Sequence, residues 1–203
     1  MEKILLDGET IFYKTPYTSI LSKDELLSVI YDEIKKQPDI NNEAFNLSAK
    51  ASEIQDIIQF SVDKCTELAI QDNLTYNEIY TEVWANRVRA KNPAIMQKVT
   101  TEVDTAYYHV HTELNLNDKK FIPNYTFVYY VQMPDNLVDV EGALLIKNTK
   151  DNVHIYHPQE NDFIILNADV PHSPMGSPNS TKDRIVIAGN VAFVNIKKEK
   201  TFL

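Results

Sequence analysis

Arg184-Ile185-Val186-Ile187-Ala188-Gly189-Asn190-Val191-Ala192-Phe193-Val194 opens on a cation and then runs almost wholly apolar, with Asn190 its one polar side chain. β-Branched and aromatic residues dominate it, and a turn-rich stretch over 174–180 precedes it, so it reads as a β-strand. Similar runs occur upstream. Residues 80–86, 105–111, 125–132, 143–147 and 162–166 each read as strands. Between them, 115–124, 134–142 and 174–180 are rich in turn formers or charge and read as loops.

The N-terminal part has a different period. Ser22-Lys23-Asp24-Glu25 has the form of a capping box, in which two side chains satisfy two orphan amides. Leu26, Leu27, Ile30 and Ile34 follow at helical spacing, and Pro38 ends the helix. A second helix is expected over about 52–72, with Ile54, Ile57, Ile58, Val62, Cys65, Leu68 and Ala69 on its apolar stripe. Cys65 on that stripe reads as a buried thiol. Two helices followed by strands without alternation predict an α+β fold, with helices on one face of an antiparallel barrel or sandwich. No repeat or linker divides the chain. Residues 1–203 are taken as one domain, with 1–75 a helical support and 76–195 the β core.

The 203 residues and 23.3 kDa suffice for one hydrophobic core. A net charge of -9 disfavours nucleic acid as partner, since such a surface repels phosphate. The short tail Lys197-Lys198-Glu199-Lys200 does not change that. A single cysteine excludes an internal disulfide framework and any Cys-based zinc site. No stretch approaches the ~20 apolar residues of a membrane span, and residues 1–8 lack a signal peptide's apolar region, so the expected location is cytoplasmic.

The residues that could carry chemistry begin with His109-Val110-His111-Thr112-Glu113. On a strand, residues two apart share a face, so His109, His111 and Glu113 would project together. Imidazoles and a carboxylate on one face suit Fe, Mn, Ni or Zn. His172 follows the apolar strand 162–166, where a loop can aim it into a barrel mouth. Arg184 opens the last strand. Facing inward, it would be a buried cation in need of a carboxylate.

The ordered set His111-x-Glu113, His172 and Arg184 resembles the Fe(II)/2-oxoglutarate-dependent oxygenases, most closely their prolyl-hydroxylase-like branch and its short phage and bacterial members. The flanks are similar too. Residues 126–131 resemble the strand after the first ligands. Glu141-Gly142-Ala143-Leu144 resembles the Gly-Gly-x-Leu turn, and Pro158-Gln159-Glu160-Asn161-Asp162 the Pro-x-x-Gly-Asp segment before the distal His. Asn161 stands where Gly is usual, and Asn tolerates φ > 0. The resemblance covers roughly residues 76–195.

The resemblance implies a double-stranded β-helix, or jelly roll, with Fe(II) held by His111, Glu113 and His172. It implies 2-oxoglutarate as small-molecule cosubstrate and O2 as oxidant. Arg184 would receive the far carboxylate of 2-oxoglutarate as a bidentate pair, with a phenol bond from Tyr130, or failing that Tyr129. The activity implied is hydroxylation of a substrate that the sequence does not identify, a peptide or protein side chain by analogy with the branch. Two features depart from the pattern. Glu113 stands where Asp is commoner. His109 offers a second register, His109-x-His111, which would give a site without a carboxylate. The His111/Glu113 register supplies the two-His-one-carboxylate set expected for non-haem Fe(II) and is the one adopted.

Other residues carry less. His154 and His157 read as loop or edge residues. Trp84 and Asn86 could line the substrate mouth, although core packing also accounts for Trp84. Asn190 shares strand parity with Arg184 and could face the cosubstrate. Two rival readings remain: a cupin-type metalloenzyme that does not use 2-oxoglutarate, and a non-catalytic jelly-roll binding protein.

Overall fold

The computed structural model describes residues 1–36, 44–90, 106–116 and 119–195. Pro38, Thr105 and the Lys197–Lys200 tail fall outside them. The described chain is two α-helices and a set of antiparallel strands. Strands β1 (Glu2–Leu6) and β2 (Glu9–Pro16) precede helix α1 (Lys23–Lys36). Strand β3 (Ala44–Asn46) and helix α2 (Gln55–Gln71) lead into β4 (Glu78–Val88). There follow β5 (Leu114–Leu116), β6 (Lys119–Phe121), β7 (Tyr125–Gln132), β8 (Leu144–Lys147), β9 (Val153–Tyr156), β10 (Asp162–Asn167), β11 (His172–Pro174) and β12 (Arg184–Val194).

Seven strands form one sheet in the order β1-β2-β10-β7-β12-β4-β3, and three form a second in the order β11-β8-β9. His109 extends the second sheet by an antiparallel bridge to His172 at its β11 edge. From β4 onward the chain crosses repeatedly between the two. It runs β4, His109, β7, β8 and β9, β10, β11, β12, with β4, β7, β10 and β12 in the large sheet.

The large sheet is covered on both sides, which explains why β12 reads as a continuous apolar run rather than an alternation. Ile185, Ile187 and Val191 pack with Tyr125, Phe127 and Tyr129 against Leu26, Ile30, Ile57, Cys65 and Leu68 of the helices. Val186 and Ala188 pack on the other side with Tyr130, Ile164 and Leu166, against Leu144 and Ile146 of β8. The expected α+β order, with helices on one face of antiparallel sheets, is thus present. Cys65 is fully buried within the helix-side core.

The capping box also forms. The Glu25 carboxylate accepts from the Ser22 amide at 2.8 Å, and Ser22 Oγ accepts from the Glu25 amide at 3.4 Å. Among the described residues, no helix is long and apolar enough to cross a membrane.

Three elements differ from the sequence expectation. Residues 1–75 are not helical throughout, because β1 and β2 form a hairpin that extends the large sheet beside β10. Its turn is Asp7-Gly8, with φ of 53° and 83°. Positive φ at both central residues is what a two-residue type I′ turn requires, and Asp-Gly supplies it cheaply. The strand expected over 105–111 shrinks to the single bridge at His109. The loop expected over 115–124 holds a short hairpin, β5 with β6, in which buried Leu114 pairs across to Phe121.

Gly189 shows how tightly the sheet is built. A Cβ there would lie 2.5 Å from the Glu82 carbonyl oxygen and 2.5 Å from Phe127 Cε1. Neither a strand carbonyl nor a fully buried ring can retreat. Gly189→Ala is therefore expected to destabilise the fold by about 1–3 kcal/mol, seen as a lower midpoint of chemical denaturation with an unchanged slope.

Candidate metal centre

His109, His111 and His172 come together from three chain positions. One nitrogen from each lies within 4.8 Å of the other two. The bridge fixes two of them, since the amide of each of His109 and His172 donates to the other's carbonyl at 3.0 Å. The His111 amide donates to Ala168 O at 2.8 Å, tying the same segment to the end of β10. The ring planes of His111 and His172 are nearly parallel at 13°, with Nε2 to Nε2 3.3 Å. Two nitrogens each about 2.1 Å from one ion, at a right angle to one another, sit about 3 Å apart. The observed separation is therefore close to that of two ligands sharing an ion.

The protonation of the group fits the same use. His172 Nδ1 donates to Val170 O at 2.9 Å, which leaves the Nε2 lone pair facing the other rings. Burial, with a contribution from His109, pushes the His172 pKa down to about 3. Burial and the same neighbour push His111 down to about 4, and burial lowers His109 as well. Neutral imidazole is the form that binds a cation. The donor set therefore fits a divalent transition metal.

Glu113 is not part of this group. Its carboxylate pairs with Lys120, Nζ to Oε2 2.9 Å, with both side chains largely in solvent. The reason is local. The parity that aligns His109 with His111 does not extend to Glu113, because residues 111–113 are not in a strand and β5 begins at Leu114. The three-histidine register, which the sequence offered as an alternative, is the arrangement the structure brings together.

Arg184 lies in the same cavity as the histidines, on the face of β12 that also presents Val186 and Ala188. It is 4% exposed. Its Nη1 donates to Met175 O at 3.2 Å, and among the described residues no carboxylate forms an ion pair with it. A buried guanidinium without a counter-ion is costly and calls for an anion. Burial lowers its pKa, and Tyr130 opposes that effect. Tyr130, fully enclosed, lines the cavity one strand away, and burial pushes its phenol up. Tyr129 faces the helix-side core instead and donates to Asn161 Oδ1 at 2.9 Å. Asn161 has φ of 69°, the glycine-like conformation expected of it.

The remaining sequence candidates fall as follows. Trp84 and Asn86 both line the cavity, and the Trp84 ring lies 5.8 Å from that of His111. His154 sits on β9, the free edge of the small sheet, against Phe12. Asn190 shares the β12 face of Arg184 and is 3% exposed.

No protein-family model and no curated protein sequence matches the chain. Solved structures do. The viral collagen prolyl hydroxylase vCPH of Paramecium bursaria Chlorella virus-1, in its 2OG complex, is similar over 93% of this chain and 98% of its own, with 16% identity and a TM-score of 0.55. A Pseudomonas putida prolyl-4-hydroxylase is similar over 91% and 93%, with 12% identity and a TM-score of 0.59. HygX of Streptomyces hygroscopicus, with nickel and 2-oxoglutarate bound, is similar over 93% and 85%, with 12% identity and a TM-score of 0.57. With its paired antiparallel sheets, the chain has the fold of these two prolyl hydroxylases and of HygX.

Proposed function

We propose that the protein is an Fe(II)- and 2-oxoglutarate-dependent oxygenase built on a double-stranded β-helix. The observation that carries this reading is Arg184. A buried cation with no carboxylate partner among the described residues shares one cavity with three neutral imidazoles. One end of that cavity suits a metal and the other an anion, the two demands that 2-oxoglutarate makes of a site.

His109, His111 and His172 would hold the metal. Arg184 would take the far carboxylate of 2-oxoglutarate through its guanidinium fork, with Tyr130 donating its phenol proton to the same carboxylate. Bound there, Fe(II) with 2-oxoglutarate and O2 supplies the oxidative decarboxylation that yields succinate and CO2 and hydroxylates the substrate. The chain contributes orientation and a dry wall. Val128, Leu144, Val186 and Ala188 enclose the space between cation and imidazoles, and Val170 O holds the His172 ring at one angle. One structural relative is a collagen prolyl hydroxylase, and a peptide or protein side chain is the substrate class this supports.

A thermal shift tests the reading without knowledge of the substrate. With Mn(II) present, 2-oxoglutarate at a hundred times its Kd should add about 2.7 kcal/mol of stability. For a domain of this size that raises Tm by roughly 5–11 °C. No shift with Mn(II) and 2-oxoglutarate together would contradict the proposal.

A further inference from the structure

The face of the large sheet that carries the site continues past the histidines, and its side chains change character there. Strand pairing places the rungs. Val186 lies beside Asn86 and Tyr130, and Ala188 beside Trp84 and Val128. The next rung is Glu82, Asn190 and Thr126, and beyond it Tyr80 stands beside Ala192. Thr126 lines the cavity, so this rung is continuous with the site.

On β4 that single face therefore reads Glu78, Tyr80, Glu82, Trp84, an alternation of carboxylate and aromatic ring that ends against His111. Tyr80 stacks on Phe121 with ring centres 4.2 Å apart. Opposite Tyr80 and Trp84, β12 carries the small side chains of Ala192 and Ala188, with Asn190 between them.

Asn190 supplies an independent observation. It is 3% exposed, and its Oδ1 has no hydrogen-bond partner among the described residues. Asn190 stands directly across from Glu82 on the neighbouring strand, and of its two amide ends only the nitrogen can donate to a carboxylate. A buried acceptor left unpaired costs roughly 1–3 kcal/mol, and here it sits beside a carboxylate. Burial raises the Glu82 pKa, and among the described residues no cation pairs with it. Two adjacent acceptors, one of them charged, between two aromatic rings describe a seat for a cationic donor.

We propose that Glu82 and Asn190, flanked by Tyr80 and Trp84, form the substrate subsite of this enzyme and that they receive an alkylammonium or guanidinium group, as in a lysine or arginine side chain. The inference rests on the oxygenase reading above and adds the substrate's chemistry to it. The ammonium or guanidinium donates to Asn190 Oδ1 and pairs with Glu82. The aliphatic stem then lies along Trp84, which brings its carbons towards the histidine group.

The test uses the Fe(II)- and 2-oxoglutarate-loaded protein under argon. Nα-acetyl-arginine amide and Nα-acetyl-lysine amide are titrated calorimetrically, beside the neutral Nα-acetyl-citrulline amide and Nα-acetyl-norleucine amide. Arginyl and lysyl tripeptides form a second arm that separates a free amino acid from a peptide as the source of the cation. At least one cationic probe should bind ten-fold or more tighter than its neutral counterpart. Glu82→Gln, which keeps the shape, should erase that preference, and Asn190→Leu should weaken the cationic probe at least ten-fold. Equal binding of cationic and neutral probes would overturn the proposal, as would no binding of either to protein whose metal-to-cosubstrate charge-transfer band is intact. Absence of that band in the wild type would overturn the oxygenase reading itself, and this inference with it.

Discussion

Arg184→Ala lowers the affinity for 2-oxoglutarate by roughly 30-fold to several thousand-fold and leaves metal binding nearly intact. The guanidinium is 4% exposed, and among the described residues its one hydrogen bond is to a carbonyl, Met175 O. A cosubstrate carboxylate seated there would form a charge-assisted, water-excluded pair. Removing one member of such a pair costs about 2–5 kcal/mol, and each ~1.4 kcal/mol is ten-fold in affinity. Arg184→Lys should rescue this only in part, because an ammonium has no planar fork. Anaerobic titration of the Fe(II) protein, followed by the charge-transfer absorbance, gives both affinities. Equal affinity in wild type and Arg184→Ala would reduce Arg184 to a structural charge.

The second large effect is on the metal. His172→Ala and His109→Ala should each lose the ion almost completely, whereas Glu113→Ala should keep it. Among the described residues three imidazoles are the donors that come together, so removing one would leave two neutral ligands. Loss of a mere outer-shell partner of a metal ligand already costs roughly 10–100-fold in affinity, and loss of a ligand costs more. Glu113 is half in solvent and paired with Lys120, a surface pair worth at most about 1 kcal/mol. Metal content by mass spectrometry after gel filtration, with circular dichroism to verify folding, measures this. Stoichiometric metal in His109→Ala, together with loss in Glu113→Ala, would restore the carboxylate register.

These two experiments bear on the elements where sequence and structure agree and part. Strands 125–132 and 184–194 were legible because each is a long apolar run with turns on its flanks, and their boundaries coincide with β7 and β12. Helices α1 and α2 were legible from a cap and from 3.6-residue spacing. The β1–β2 hairpin carried its own signal, Asp7-Gly8 between Leu6 and Thr10-Ile11-Phe12, but five residues make a short strand, and its partner β10 is remote in sequence.

At the site, residue types and order identified His111, His172, Arg184 and Tyr130 as candidates, and all four line one cavity. What order could not reveal was where the extended backbone stops. Period-two reasoning holds only while the chain is pleated. It holds from His109 to His111 and fails at Glu113, because tertiary bonds, from His109 to His172 and from His111 to Ala168, fix the segment rather than a regular strand. Asn190 was placed on the correct face by parity, but its unpaired oxygen is visible only once Glu82 is beside it.

On the proposed reading, three histidines and one buried arginine serve a metal and a dicarboxylate in one cavity. A crystal structure of the protein grown with Mn(II) and 2-oxoglutarate tests it most directly. One ion bound by His109, His111 and His172 is expected, with the cosubstrate reaching from that ion to the Arg184 guanidinium and Glu113 remaining with Lys120. An ion ligated by Glu113, or a metal-loaded cavity in which Arg184 meets no cosubstrate carboxylate, would contradict it.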